Sequence, residues 1–199
     1  MKINRRHFVG ASFAATAGLA APRAFAAPRL GARPALLPQA MAALDTHKPS
    51  IARRDVMGIV DFGVHSRELR FQIVDIANGR IAGSYLVAHG KGSDPRHKGW
   101  LERFSNRPGS HASSKGSYLV GDSYYGKHGR SRRLHGLDEE NDLAFKRAIV
   151  MHGANYVDRG LLRRQGRIGR SLGCFAVEQG VIGEVLERLG PGHLLFASA

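Results

Sequence analysis

The chain is short of cysteine, tryptophan and acidic residues, and each shortage removes a class of explanation. A single thiol, Cys174, has no internal disulfide partner, so the fold rests on its core and the thiol is inert, intermolecular or reactive. Long apolar runs are scarce as well. Val9 to Ala21 is the main one, at about 13 residues too short to cross a hydrocarbon layer of about 30 Å. Arg5-Arg6 precedes it and Ala24-Phe25-Ala26 follows, giving the three regions of a signal peptide, and the arginine pair points to the twin-arginine route. The expectation is a signal peptide over 1–26, a periplasmic or otherwise exported protein, and no integral membrane span once the signal is cleaved.

Only 16 acidic residues face 30 lysines and arginines, a formal net charge of +14. Cleavage after Ala26 would remove Lys2, Arg5, Arg6 and Arg23 and leave a balance near +10. Such a charge favours anionic partners, and nucleic acid is the default for a cytosolic protein. Export argues against that default and leaves peptidoglycan peptides with free carboxylates, cell-wall polymers and lipid head groups. The ten histidines include no H-E-x-x-H and no His-x-His, and His89, Asp94 and His97 fall in a loop with no helix to set their geometry. No metal and no cofactor is therefore expected.

What is present reads as one domain of short strands. Residues 27–55 carry Pro28, Gly31 and Pro34, then an Ala/Leu-rich helix over Leu36 to Leu44 that stops before Pro49. From 56 to 199 the pattern is mainly β. Val56–Asp61 and Leu69–Asp75 alternate, and Asn78-Gly79 signals a hairpin returning over Arg80 to His89. Gly90 to Lys115 is a long basic loop. Ser117–Val120 is a strand, Tyr124–Gly129 an aromatic, glycine-punctuated loop, and Ala148–Met151 a strand that ends on His152. One late helix covers Glu178 to Leu189, before Gly190-Pro191-Gly192 and a closing strand at Leu194–Phe196.

The chemistry gathers on His152 and Cys174. A thiol attacks as thiolate and needs a base or a positive field. His152, at a strand end before Gly153, is the expected base, and the segment 154–171 is expected to fold back and bring Cys174 beside it. Gly173 leaves room for an acyl group, and backbone N–H groups around Gly173 and Cys174 are candidates for binding an oxyanion. Arg163, Arg164, Arg167 and Arg170 surround the thiol in sequence and favour a carboxylate-bearing substrate.

These segments resemble the L,D-transpeptidase catalytic domain of the YkuD type, and more closely its murein L,D-transpeptidase subgroup. The likeness runs from about Asp61 to Phe196 through Val87–Gly90, Phe104–Ser110, Ser123–Gly129, Ala148–Gly153 and Gly169–Cys174. It implies a YkuD-like β-sandwich in which Cys174 is the nucleophile, His152 the base, Gly173 the oxyanion glycine and Ser171 the residue opening the motif. It further implies a thioester with a peptidoglycan stem peptide, passed to an acceptor amine, or to water in an L,D-carboxypeptidase. Two departures stand out: Leu172 and Ala176 occupy the places of the motif's usual histidine and polar residue, and the 21 residues between His152 and Cys174 exceed the usual gap. Tyr124, Tyr125, Lys127 and Arg170 are the candidates for substrate binding. A zinc peptidoglycan hydrolase and a non-catalytic wall-binding protein are the competing readings.

Overall fold

The computed structural model describes residues 30–199, so the expected signal segment 1–26 lies outside the described residues. Helix α1 (Leu37–Thr46) leads into strands β1 (Val56–Asp61), β2 (Phe71–Asp75), β3 (Arg80–Tyr85) and β4 (Val87–Ala88). After the long loop come β5 (Gly116–Gly126), β6 (Gly129–Gly136) and β7 (Val150–Ala154), then α2 (Arg159–Gln165), β8 (Phe175–Glu178), α3 (Ile182–Arg188) and β9 (Leu194–Ser198). The strands hydrogen-bond in the order β3-β2-β1-β9-β5-β6-β7-β8-β4.

That order explains the architecture. β3 and β4 lie at opposite ends of the nine-stranded sheet, yet only Leu86 separates them in the chain. Such a sheet must curl back on itself, so its two halves face each other across a shared interior. Phe71, Ile73 and Tyr85 from one end accordingly meet Val87, Phe175 and Val177 from the other in one buried cluster, joined by Val185, Leu186 and Leu189 around α3. The mainly β class expected from alternation, and the sandwich-like fold that the resemblance implies, are what the chain adopts. α1 covers the outer face through Leu37, Ala40 and Leu44, which pack on Met57, Ile59, Val74 and Leu194. No helix among the described residues is long and apolar enough to cross a membrane.

Several elements differ from the expectation. β8 (Phe175–Glu178) was not expected and takes up Glu178, so the late helix begins at Ile182, and β7 runs on to Ala154, which puts His152 at mid-strand and not at a strand end. The stretch Tyr124–Gly129 is the end of a hairpin rather than a loop: β5 runs on to Gly126 and β6 returns from Gly129, with an irregular register between Val120 and Ser123. β6 escaped notice because Arg130, Arg132 and Arg133 break its apolar alternation. The segment after β7 contains α2, which buries none of its residues and so has no apolar stripe to betray it. Its ends were legible: Asp158 Oδ1 accepts from the Leu161 amide, and Gly166 closes the helix at φ +71°.

Candidate active site

Pleat and register bring the two key side chains together. Strands β7 and β8 are parallel neighbours, with Met151 beside Phe175 and His152 beside Ala176. Met151, Phe175 and Val177 enter the main core. Alternation therefore turns Val150, His152 and Cys174 to the opposite face. There they line a recess of about 370 Å³ with Tyr124, Lys127, His128, Arg147, Tyr156, Arg170, Ser171 and Leu172.

Cys174 is half-buried, and its Sγ donates to the Ala148 carbonyl at 3.6 Å. Ala148 is one of three non-glycine residues with positive φ among the described residues, at +54°. Burial pushes the thiol up, against the Val150 backbone hydrogen bond and the positive charges of Lys127 and Arg147. His152 is buried, and its Nδ1 sits 2.8 Å from the Gly153 carbonyl. A carbonyl only accepts, so Nδ1 carries the proton and Nε2 keeps a lone pair. Burial also lowers the His152 pKa, with help from the charges of His128 and Lys127. In this structure the thiol and the imidazole are neighbours in one recess and are not hydrogen-bonded to each other.

The turn before the thiol is built on Ser171. Its Oγ accepts from the Gly173 amide at 3.0 Å and donates to the Cys174 carbonyl at 2.7 Å. The Gly173 N–H expected for an oxyanion is thus engaged inside the turn. Glycine is required there twice over: φ is +116°, and a Cβ would lie 2.7 Å from the Ala112 carbonyl. Ser171 also bridges backbone to backbone, giving its N–H to His89 and its carbonyl to Lys91.

Of the four candidates for substrate binding, three line the recess and one does not. Tyr124 lines it, with the Arg133 guanidinium 4.5 Å from its ring centre. Tyr125 is 82% exposed, because adjacent residues of a strand point to opposite faces. Arg170 reaches the wall but gives its guanidinium to the Asp94 and Pro95 carbonyls. Lys127 stands in the two-residue turn between β5 and β6, with no bonded partner among the described residues, and borders a second, adjoining recess of about 530 Å³. Arg163 and Arg164 point to solvent from α2, and Arg167 pairs with the Gln165 backbone.

Beside His128, two further lining residues were not among the expected site residues. Arg147 spans the long loop, donating to the carbonyls of Ser105 and Ala112 and to the hydroxyls of Ser110 and Ser114, while its charge reaches Cys174. Tyr156 lines both recesses, its phenol pushed up to about 12 by burial. Neither carried a local signal, since each is brought in by chain far from the thiol in sequence or by the turn after β7. No acidic side chain lines the thiol recess, and among the described residues no group of three or more His, Cys, Asp or Glu is placed to hold a metal ion.

A curled β-sheet that presents a lone cysteine and a tautomer-locked histidine from adjacent parallel strands, in a basic recess, defines a class of domain. The match that follows is to the L,D-transpeptidase catalytic domain, over residues 30–198, and the chain belongs to that family. Similar solved structures include an L,D-transpeptidase from Mycobacterium smegmatis, 12% identical over 73% of this chain and 59% of that one, with a TM-score of 0.45. Another is the L,D-transpeptidase (residues 123–326) from Xylanimonas cellulosilytica, 17% identical over 81% of this chain and 70% of that one, with a TM-score of 0.44. The chain thus covers less than two thirds of the Mycobacterium smegmatis protein's length. No curated protein sequence matches it.

Proposed function

We propose that this protein is an exported peptidoglycan L,D-transpeptidase working through a cysteine thioester. The observation that carries the reading is the shared recess of Cys174 and His152, with Nδ1 of His152 committed to Gly153 and Nε2 left basic. His152 Nε2 takes the Sγ proton as the sulfur attacks the carbonyl that precedes a terminal D-residue of a stem peptide. The new C–S bond forms as the carbonyl π electrons move to oxygen. Collapse of that oxyanion expels the D-residue's amine, which receives the proton from the imidazolium. The amine of a second stem then attacks the thioester, the imidazole accepts its proton, and the thiol is restored. Water in place of that amine gives an L,D-carboxypeptidase.

With the Gly173 amide held by Ser171, the Cys174 amide, whose hydrogen bonding reaches its own sulfur, is the better donor for the oxyanion. Lys127 is the better partner for a substrate carboxylate, because Arg170 and Arg147 are already spent on loop carbonyls. The purified protein, incubated with tetrapeptide stems with and without an acceptor stem, should show a thioester by mass and then a crosslinked product. Cys174→Ala should lose both. Stem turnover that survives Cys174→Ala would falsify the nucleophile, and turnover stopped by a chelator would favour a metal-dependent hydrolase.

A further inference from the structure

One histidine of the recess is left without a task by this mechanism. His128 occupies the two-residue turn between β5 and β6, where Gly126 pairs with Gly129 and Gly129 takes φ +74°. That tight turn, distant in sequence from β7, lays the His128 ring on the ring of His152: their centres are 4.1 Å apart and their planes 19° from parallel. His128 is also half-buried between the two recesses and lines both.

Two constraints orient the His152 ring. At its edge, the Gly153 carbonyl holds Nδ1 and selects the tautomer. A single hydrogen bond leaves the plane free to rock about it, and a second ring against the face removes that freedom. We propose that His128 is a positioning residue, whose stacked ring holds the His152 imidazole so that Nε2 faces the thiol recess. The proposal rests on the reading of His152 as the base.

The stack also has an electrostatic side. Two imidazoles at this separation repel when both are protonated, so a charge on His128 opposes a charge on His152. The other titratable or charged groups facing the pair are Lys127 on the same turn, Tyr124 from β5, Arg147 ahead of β7, Tyr156 after it, and Arg170 and Cys174 ahead of β8. The cations among them act in the same direction, toward a neutral His152.

The test is single-turnover thioester formation from a tetrapeptide stem by wild type, His128→Ala and His128→Phe, with thermal melting to show that each is folded. His128→Ala should slow the acylation step about tenfold or more with little change in half-saturation, the signature of a misaligned base. His128→Phe keeps a flat ring without a charge and should recover most of that rate. Its acid limb should move to higher pH, because His152 is then protonated more easily. His128→Ala within twofold of wild type, or His128→Phe as slow as His128→Ala, would overturn the positioning role. His152→Gln separates the two ideas: a wild-type rate there overturns the base itself, whereas a dead His152→Gln beside a healthy His128→Ala overturns only the stack.

Discussion

Cys174 and His152 are both shifted toward their neutral forms, the thiol upward and the imidazole downward, and burial is the first cause in each case. The shifts favour thiol and imidazole over thiolate and imidazolium at rest, so in the proposed reaction proton transfer belongs to the attack itself. Below its pKa a thiol gains thiolate about tenfold per pH unit, so alkylation of Cys174 by iodoacetamide should climb at that slope from about pH 7 to 9. A rate already flat near neutrality would reveal a preformed ion pair and contradict this account. Ala148 adds a further residue-scale feature. Its left-handed backbone turns a carbonyl under the sulfur, a conformation that an alanine holds only where the surroundings demand it.

At the scale of elements, the 26 residues from 90 to 115 have almost no regular structure and still border the site. They are pinned both from outside and from within. Arg147 holds the segment at Ser105, Ser110, Ala112 and Ser114, and Asp94 accepts the amides of Lys98 and Gly99. His97 reaches the Ile168 carbonyl across the gap to the chain after α2. Hydrogen bonds from a charged group contribute roughly 1.5–3 kcal/mol each, so Arg147→Met should loosen the loop well before it unfolds the sheet. Trypsin is the natural probe, since Lys91, Arg96, Lys98 and Arg103 are all exposed in the loop and none precedes a proline. Cleavage there should accelerate at least tenfold in Arg147→Met at unchanged far-UV circular dichroism, and Arg147→Lys should fall between. Equal cleavage rates in all three proteins would mean that the loop is held by something else.

For the whole molecule, the buried polar network around His89 ties the start of β2 to the loop and to the Cys174 turn. Arg70 is fully buried, gives hydrogen bonds to the carbonyls of Val64 and Val87, and approaches His89 Nδ1 at 2.9 Å. His89 Nε2 meets Asp94 at 3.2 Å. Because the guanidinium only donates, His89 must be neutral with its proton on Nε2. Burial and then the Arg70 charge lower its pKa to about 3, against the pull of Asp94. Between an unfolded value of about 6.5 and that folded value the unfolded chain binds a proton that the folded one refuses, so stability falls as pH falls. The slope from His89 alone approaches 1.4 kcal/mol per pH unit, as an order of magnitude. His152 and His65, both lowered chiefly by burial, act in the same sense. Melting temperature should therefore drop steadily from about pH 6 to 4, and His89→Gln, which has no proton to gain, should flatten that drop while costing stability at neutral pH. A wild-type melting curve indifferent to pH over this range would refute the buried neutral histidine.

How much of this was legible in the chain divides along a physical line. Alternation marked β1 and β2, Asn78-Gly79 marked their hairpin partner, and the glycine before a lone thiol together with the His152-Gly153 pair pointed to two residues that share one recess, because each depends on residues adjacent in sequence. β6 and α2 stayed hidden because arginines interrupt the one and nothing apolar lines the other. Arg147, His128 and Tyr156 line the recess without having been assigned to it, and Tyr125 lies outside it, because lining depends on which face of which strand turns inward. The sequence by itself determined residue types and local strand and turn preferences. Only the tertiary structure decided that β7 and β8 lie parallel with His152 beside Ala176, and that single register puts sulfur, imidazole and the stacked ring of His128 around one recess. Register is a relation between distant segments, set by which faces the curled sheet must bury, and no local pattern carries it.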